Sequence, residues 1–175
     1  MSKAKLIKRL KWYYPTERFH TYVTFPLIAI LLLLFYSAKD ILFILYGLFI
    51  CIYILYQGQH YWKLKLYKLT DRSFDQQKNL AFFERSKRIN IILIAAIPFV
   101  FLLQWYVANW SFTSDNLIIY PWIANIFAVV EHLNYYVIQI SIDNEADVDY
   151  LKKNKKLKKA HLAKDLRRLI CKFDF

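Results

Sequence analysis

The sequence contains little glycine, cysteine or histidine, and each scarcity excludes a class of functional site. Two glycines in 175 residues leave no glycine-rich loop that could bind a phosphate group. The four histidines are not spaced as metal ligands, so we assign no metal and no cofactor. Cys51 lies in an apolar run and Cys171 in a basic tail, and we therefore expect two free thiols and no disulfide. No hydrolase motif stands out either, and we assign no catalytic residue.

Positive charge is absent from long stretches of the chain. Of the 25 lysines and arginines, all but Lys39 fall within residues 1–20, 58–90 and 143–175, and the stretches between these segments are almost entirely apolar. Short loops that are rich in lysine and arginine remain on the cytoplasmic side of a membrane. In addition, a hydrophobic content of 58% exceeds what a soluble domain of this length can bury. The sequence therefore predicts a multi-pass protein of the inner (plasma) membrane with both termini in the cytoplasm.

The net charge of +12 favours a bilayer surface over nucleic acid as the partner. The basic residues flank apolar spans and do not form one continuous stripe, so attraction to anionic lipid headgroups explains them. We expect the anionic inner leaflet to be a partner of the chain and do not expect nucleic acid to be one.

Four apolar segments predict an all-α bundle of four transmembrane helices. Pro26 and Pro121 lie in the opening turns of the first and fourth spans, whereas Pro98 interrupts the third span and should kink it. The predicted divisions are a basic cytoplasmic N-terminal segment (1–20), a transmembrane domain (21–142) with spans at about 21–37, 41–56, 89–108 and 117–142, an outside loop at 109–116, a cytoplasmic hairpin (58–88), and a cytoplasmic amphipathic tail (143–175).

The cytoplasmic hairpin keeps apolar residues at near-helical spacing among its charges. This spacing predicts that the second and third helices project beyond the bilayer, with a turn at 70–73. Ser73 and Gln76 are spaced as a capping box that would begin the returning helix. The alternative is an irregular solvated loop. In the tail, apolar residues from Leu162 onward share one helical face, which predicts an amphipathic helix that lies on the inner leaflet or packs against the hairpin.

Glu131 is the only acidic side chain that we expect at membrane depth. A carboxylate at that depth is costly unless it is paired, so it is a candidate for a functional residue. Helical spacing puts it on one broad face with Asn134 and Tyr135, with Gln139 at the margin of that face and His132 on an adjacent face. Three interpretations of this polar cluster remain open: a buried network that locks the helices together, the lining of a pocket or permeation path, and an intramembrane general base.

Further polar residues gather at the predicted cytoplasmic ends of the spans and in the tail. Together they predict a polar mouth on the cytoplasmic side of the bundle, although each alone is typical of an interfacial residue. The residues of this predicted mouth are Glu17, Arg18, His20, Gln57, Gln59, His60, Arg85, Arg88 and Asn90.

Two linked motifs end the chain, E-x-x-N-Y-x-x-x-Q at 131–139 and L-K-K-A-H-L-x-x-D-L-x-R at 157–168. Their combination resembles a group of small uncharacterised bacterial four-span membrane proteins. The resemblance carries no activity. It implies that the polar cluster works together with His161, Asp165 and Arg168, and that the tail folds back under the mouth of the bundle. The chain departs from the group's pattern at His132, where the group would have an aromatic residue such as tyrosine.

We expect a non-enzymatic membrane component, a homo-oligomeric assembly or channel-like effector whose cytoplasmic mouth receives a protein or small-molecule ligand. Because four helices pack solidly around their side chains, one copy cannot enclose an aqueous path, whereas a symmetric homo-oligomer can. The alternatives are an intramembrane enzyme that acts on a lipid-phase substrate at Glu131 and a stress or immunity protein that acts by occupying the membrane.

Overall fold

The computed structural model describes residues 3–109, 119–142 and 145–173, without the side chains of Ala146 and residues 168–173. These residues form helices and no strand, which confirms the all-α prediction. The helices are α1 (Lys3–Phe19), which continues through a π-helical turn (His20–Thr24) into α2 (Phe25–Phe35), then α3 (Leu42–Leu69), α4 (Gln76–Val107), α5 (Ile119–Tyr136), α6 (Glu145–Asn154) and α7 (His161–Phe173).

Three helices in the described part of the chain are long and apolar enough to cross a membrane. They are the continuous helix Lys3–Phe35, α3 and α4, and α4 runs through Pro98 without ending. In the most apolar stretch of α3, 61% of the residues are buried, compared with 6% in Lys3–Phe35 and 11% in α4. The helix α3 is therefore the central one, in contact with α1, α2, α4 and α5. The remaining candidate, α5, has 18 residues and is not among the three.

The first helix begins at Lys3, far before the predicted start of the first span at residue 21. Residues 3–11 alternate lysine and arginine with leucine, isoleucine and alanine, and most of these residue types favour a helix. Leu10 is buried, so one face of α1 packs against the bundle while its lysines remain exposed. The N-terminal segment is thus a wall of the bundle and continues without a break into the first apolar stretch.

The helices α3 and α4 extend through residues 58–69 and 76–88, so the hairpin is helical and not an irregular loop. The predicted capping box of Ser73 and Gln76 is wrong. Asp75 is the N-cap of α4, and its carboxylate accepts a hydrogen bond from the backbone N–H of Lys78 at 2.8 Å. Asp75 directly precedes the first helical residue, whereas Ser73 lies two positions too early to satisfy the free N–H groups of the first turn.

The helix α5 ends at Tyr136 and not at residue 142, so the prediction that Gln139 lies on its face is also wrong. The side-chain oxygen of Asn134 accepts hydrogen bonds from the backbone N–H groups of Ile140 and Ser141 at 2.9 and 3.1 Å. This bends the chain away from the helix axis, and the N–H of Gln139 then bonds the carbonyl of Lys158 at 2.7 Å. Residues 110–118, which include most of the predicted outside loop and the start of the fourth span, lie outside the described residues.

Three separate basic segments meet at one end of the bundle. Lys3, at the start of α1, lies 3.6 Å from Asp71 in the α3–α4 turn. Lys65, near the end of α3, forms an ion pair of 2.7 Å with Asp165 of α7. The helix α7 also contacts α4 and α5. We call this the basic end: the start of α1, the α3–α4 turn, α6 and α7. The predicted N-terminal segment, hairpin and tail therefore lie on the same side of the apolar helices.

Candidate functional site

A buried amide pair joins α3 to α4 at the centre of the bundle. Gln57 and Asn90 exchange two hydrogen bonds, of 3.0 and 2.9 Å, and Tyr136 of α5 donates its hydroxyl to the Gln57 oxygen at 2.6 Å. His132 stacks on Tyr136 with ring centroids 5.0 Å apart. Gln57 and Asn90 are fully buried. Since the polar atoms of the pair are satisfied by neighbouring helices, this network fixes the packing of three helices and offers no open site.

A second network is centred on Glu17 of α1. One carboxylate oxygen accepts hydrogen bonds from the Tyr135 hydroxyl at 2.5 Å and from the indole N–H of Trp62 at 2.8 Å. The other oxygen, Oε2, is buried and has no hydrogen-bond partner among the residues that the structure describes. None of the ion pairs among those residues includes Glu17. The network therefore joins α1, α3 and α5 around a carboxylate that forms no ion pair with the residues described in the structure.

This second network lies beside a cavity of about 290 Å³ at the basic end. The bundle contributes the aromatic residues of the lining, and α7 contributes His161 and Leu162. The aromatic residues that line the cavity, together with the carboxylate between them, are Tyr13, Glu17, Tyr61, Trp62 and Tyr135.

The other charged residues that line the cavity interact with each other or with rings. Lys158 forms an ion pair of 2.6 Å with Asp147 and also lies over a tyrosine ring, and Gln139 donates to the same carboxylate at 3.0 Å. The guanidinium of Arg9 lies 5.1 Å from the centroid of the Tyr13 ring. The charge of Lys158 is thus balanced by Asp147, and its position follows from the bend after α5.

The tail helix α7 is held over the cavity by Asp165. Its carboxylate accepts a hydrogen bond from the Tyr61 hydroxyl at 2.9 Å and pairs with Lys65 at 2.7 Å. Burial by itself raises the pKa of Asp165, but the ion pair with Lys65 and the Tyr61 hydroxyl outweigh burial and hold the pKa below its ordinary value. Ala160 and Leu162 are almost fully buried beside this contact, so apolar packing and an ion pair together place the tail.

The structure brings some of the predicted site residues together at the cavity and leaves the others away from it. Asn134, Tyr135, Gln139 and His161 line the cavity, and Asp165 lies next to it. Glu131 is only half-buried and does not line the cavity, and His132 belongs to the first network. Of the predicted mouth, Gln57 also belongs to that network, and His60 contacts Asn79 of α4 at 2.6 Å. The exposed residues of the predicted mouth that take part in neither network are Arg18, His20, Arg85 and Arg88. The side chain of Arg168 and the thiol of Cys171 lie outside the described residues.

Sequence reasoning missed Tyr13, Tyr61, Trp62 and Asp147 as parts of the site. Trp62 follows an apolar span, where an aromatic residue is typical of a membrane boundary, and nothing in its neighbours distinguishes the two uses. Glu17 was expected only as one of several residues of the mouth. The available signal was that Glu17 is the sole acidic residue of the N-terminal segment, although its partners are 45 and 118 positions away in sequence.

Comparison of the chain with protein-family models, with curated proteins and with solved structures found no match. Within the described ranges, no group of three histidine, cysteine, aspartate or glutamate side chains is placed to hold a metal ion. The cavity and the two networks are therefore the features of the described residues that bear on function.

Proposed function

We propose that the chain is a non-enzymatic, multi-pass protein of the inner (plasma) membrane that receives a small ligand or a partner in the cavity at its basic end. In this proposal α5 is the fourth span, both termini lie in the cytoplasm, and the basic end faces the anionic leaflet. One observation carries the proposal: Glu17 of α1, Tyr135 of α5 and His161 of α7 line a single cavity. An occupant would touch the bundle and the tail together, so binding can change the position of the tail.

We also propose that several copies assemble in the membrane. Large apolar side chains are exposed along α2, α4 and α5, and such surfaces are suited to contact with lipid or with neighbouring copies. In one copy the centre of the bundle is filled by the Gln57 and Asn90 pair and by the apolar residues around it. A change of membrane permeability would therefore need a path between copies and not through one copy.

The proposed membrane topology is tested with single cysteines. In a background with Cys51→Ala and Cys171→Ser, cysteines are placed at Lys39, Arg72 and Ser141. A membrane-impermeant maleimide should label the cysteine at 39 from the outside, and the other two only in inverted vesicles. If the cysteines at 72 and 141 react from opposite sides, α5 does not cross the membrane as proposed.

The proposed assembly is tested by the mass of the protein in nanodiscs, which gives the number of copies. A monomer would contradict the assembly.

The receiving role is tested by protection of the cavity. A cysteine at His161 in the same background should react more slowly with a small thiol reagent when the low-molecular-mass fraction of a cell extract is present. The matched control is a cysteine at Lys152, an exposed residue of α6 outside the cavity, whose rate should not change. Equal rates at 161 with and without the extract would count against a small-molecule ligand and leave a protein partner to be tested.

A further inference from the structure

The charge balance of the cavity indicates what its occupant must supply. Glu17 receives two neutral donors on one oxygen, and its other oxygen is buried without a partner among the described residues. A buried carboxylate that lacks a cation is unfavourable, because hydrogen bonds alone do not replace its lost hydration. Of the two cations that line the cavity, Lys158 is paired with Asp147 and Arg9 lies over the Tyr13 ring, and neither forms an ion pair with Glu17. A cation beside Glu17 would balance this carboxylate in its ionised form.

The walls of the cavity are suited to the same kind of occupant. The rings of Tyr13, Tyr61 and Tyr135 each lie within 6.5 Å of the Trp62 ring, at centroid distances of 6.1, 5.3 and 6.5 Å. Four neighbouring rings of the most electron-rich types therefore line the cavity beside this carboxylate, and two cations of the chain, Arg9 and Lys65, already lie over the rings of Tyr13 and Tyr61. Faces of tryptophan and tyrosine attract cations, and cages of such rings recognise quaternary and methylated ammonium groups.

The size of the cavity restricts the occupant further. A volume of about 290 Å³ is at the small end of the range for ligand sites in proteins. A bare metal ion would leave most of this space empty and would find only one unmatched carboxylate. A small organic cation would occupy more of it, with its carbon against the rings and its nitrogen beside Glu17.

We propose that the ligand of the cavity is a small organic ammonium ion, bound by the carboxylate of Glu17 and by the rings of Tyr13, Trp62 and Tyr135. This inference rests on the proposed function, since it names the ligand class of the cavity described there. An ammonium group has two natural sources at this position, a free amine in the cytoplasm and the headgroup of a zwitterionic phospholipid. Both sources present the same chemistry to Glu17.

The test uses the full chain in nanodiscs and choline as the probe. In nanodiscs of phosphatidylglycerol alone, calorimetry should detect choline binding, whereas the uncharged alcohol in which carbon replaces the choline nitrogen should bind much more weakly. Nanodiscs that contain phosphatidylcholine distinguish the two sources. If the headgroup is the natural occupant, choline binding is lost in these nanodiscs; if the ligand is free, it is unchanged.

Three variants connect binding to the proposed residues. Glu17→Gln keeps the shape and should weaken choline binding by about tenfold or more, because a charged partner is lost. Tyr13→Leu keeps an apolar wall and should weaken it less, by removing one ring face. Glu84→Gln is the matched control, since Glu84 is an exposed carboxylate paired with Arg88 and remote from the cavity, and it should bind choline as the wild type does. Circular dichroism establishes whether each variant is folded. If Glu17→Gln does not fold, the effect of Tyr13→Leu on choline binding still tests the inference.

Several outcomes would overturn the inference. Equal binding of choline and the uncharged alcohol would show an apolar pocket without charge recognition. Equal effects of Glu17→Gln and Glu84→Gln would remove Glu17 from the site. Binding of inorganic phosphate in place of choline would assign the cavity to an anion. None of these results changes the membrane topology or the protection at His161, so the proposed function can survive the loss of this ligand class.

Discussion

The phenol of Tyr135 lies directly against the backbone of α3 at Gly58. A Cβ atom at Gly58 would overlap the Cζ and hydroxyl oxygen of Tyr135 and would lie 2.8 Å from Oε2 of Glu17. At Gly47, the other glycine of the chain, a Cβ would lie 2.8 Å from the side-chain nitrogen of Asn125. Both glycines therefore face α5, and their missing side chains let α5 approach α3 closely. The two glycines of the sequence thus both mark the contact between α3 and α5.

Replacement of Gly58 by alanine should destabilise the protein. In an ordinary helix interior, this change stabilises by up to about 1 kcal/mol, because alanine restricts the unfolded chain. Here the added methyl group must displace Tyr135, and such overpacking costs about 1–3 kcal/mol. Thermal unfolding in nanodiscs should therefore show a lower midpoint for Gly58→Ala than for the wild type.

The control for this prediction is a double-mutant cycle with Tyr135→Leu. When the phenol is absent, the alanine at 58 has space, so its cost should be smaller than in the wild-type background. A Gly58→Ala protein that unfolds at the wild-type temperature or above it would show that α5 does not lie so close to α3.

The amide pair between Gln57 and Asn90 gives a second prediction. Gln57→Leu leaves the Asn90 amide and the Tyr136 hydroxyl buried without their partner, which should cost about 1–3 kcal/mol. The double variant Gln57→Leu with Asn90→Leu leaves fewer unpaired groups. Denaturant unfolding should therefore show that the double variant loses less stability than the sum of the two single variants. If the stability losses of the two single variants simply add in the double variant, water reaches these polar groups in the protein.

The attachment of α7 through Asp165 predicts a defined pH dependence. Because the pKa of Asp165 is lower in the folded protein than its ordinary value, its contribution is complete above the ordinary value of about 4. The contribution is lost only as the pH falls through the lower, folded pKa. The protection factors of the α7 amides in hydrogen exchange, which compare the exchange rates with those of the unfolded chain at the same pH, should therefore be insensitive to this group from about pH 5 upward and should fall below about pH 4.

Asp165→Asn tests the cause of that dependence. The variant keeps the shape but loses the charge that Lys65 balances, so α7 should exchange faster at neutral pH and show less change on acidification. The exposed Asp149 of α6 serves as the matched control, and Asp149→Asn should follow the wild type. If α7 in Asp165→Asn exchanges as slowly as in the wild type at neutral pH, apolar contacts such as Leu162 hold the tail without the ion pair.

The sequence predicted the elements better than it predicted the contacts between them. The apolar runs located α2, α3 and α4, because burial or lipid contact over several helical turns leaves a long periodic signal. The helical hairpin followed from the spacing of Leu64, Tyr67, Leu80 and Phe83. The end of α5 was mispredicted since residues 137–142 are as apolar as the helix itself, and only the side chain of Asn134 bends the chain there.

The site was predicted in part for a related reason. Polar residues at the span ends identified the region, and the tail motif associated Tyr135 with His161 and Asp165. The choice of Glu17 over Glu131 could not be made from sequence, because it depends on which face of α1 meets α3 and α5. That orientation is set by contacts such as Trp62 to Glu17, which join residues far apart in the chain.

The last prediction concerns Asn134, which the sequence assigned to the polar cluster and which the structure places at the end of α5. Its oxygen accepts from two backbone N–H groups, so the bend needs an acceptor at this position. Asn134→Asp should therefore keep the bend, whereas Asn134→Leu should free the Ile140 and Ser141 amides. Hydrogen exchange at these two amides measures the difference directly. Fast exchange in both variants would show that the amide nitrogen of Asn134 is required as well, and slow exchange in both would show that the pairing of residues 137–139 with 158–160 holds the bend by itself.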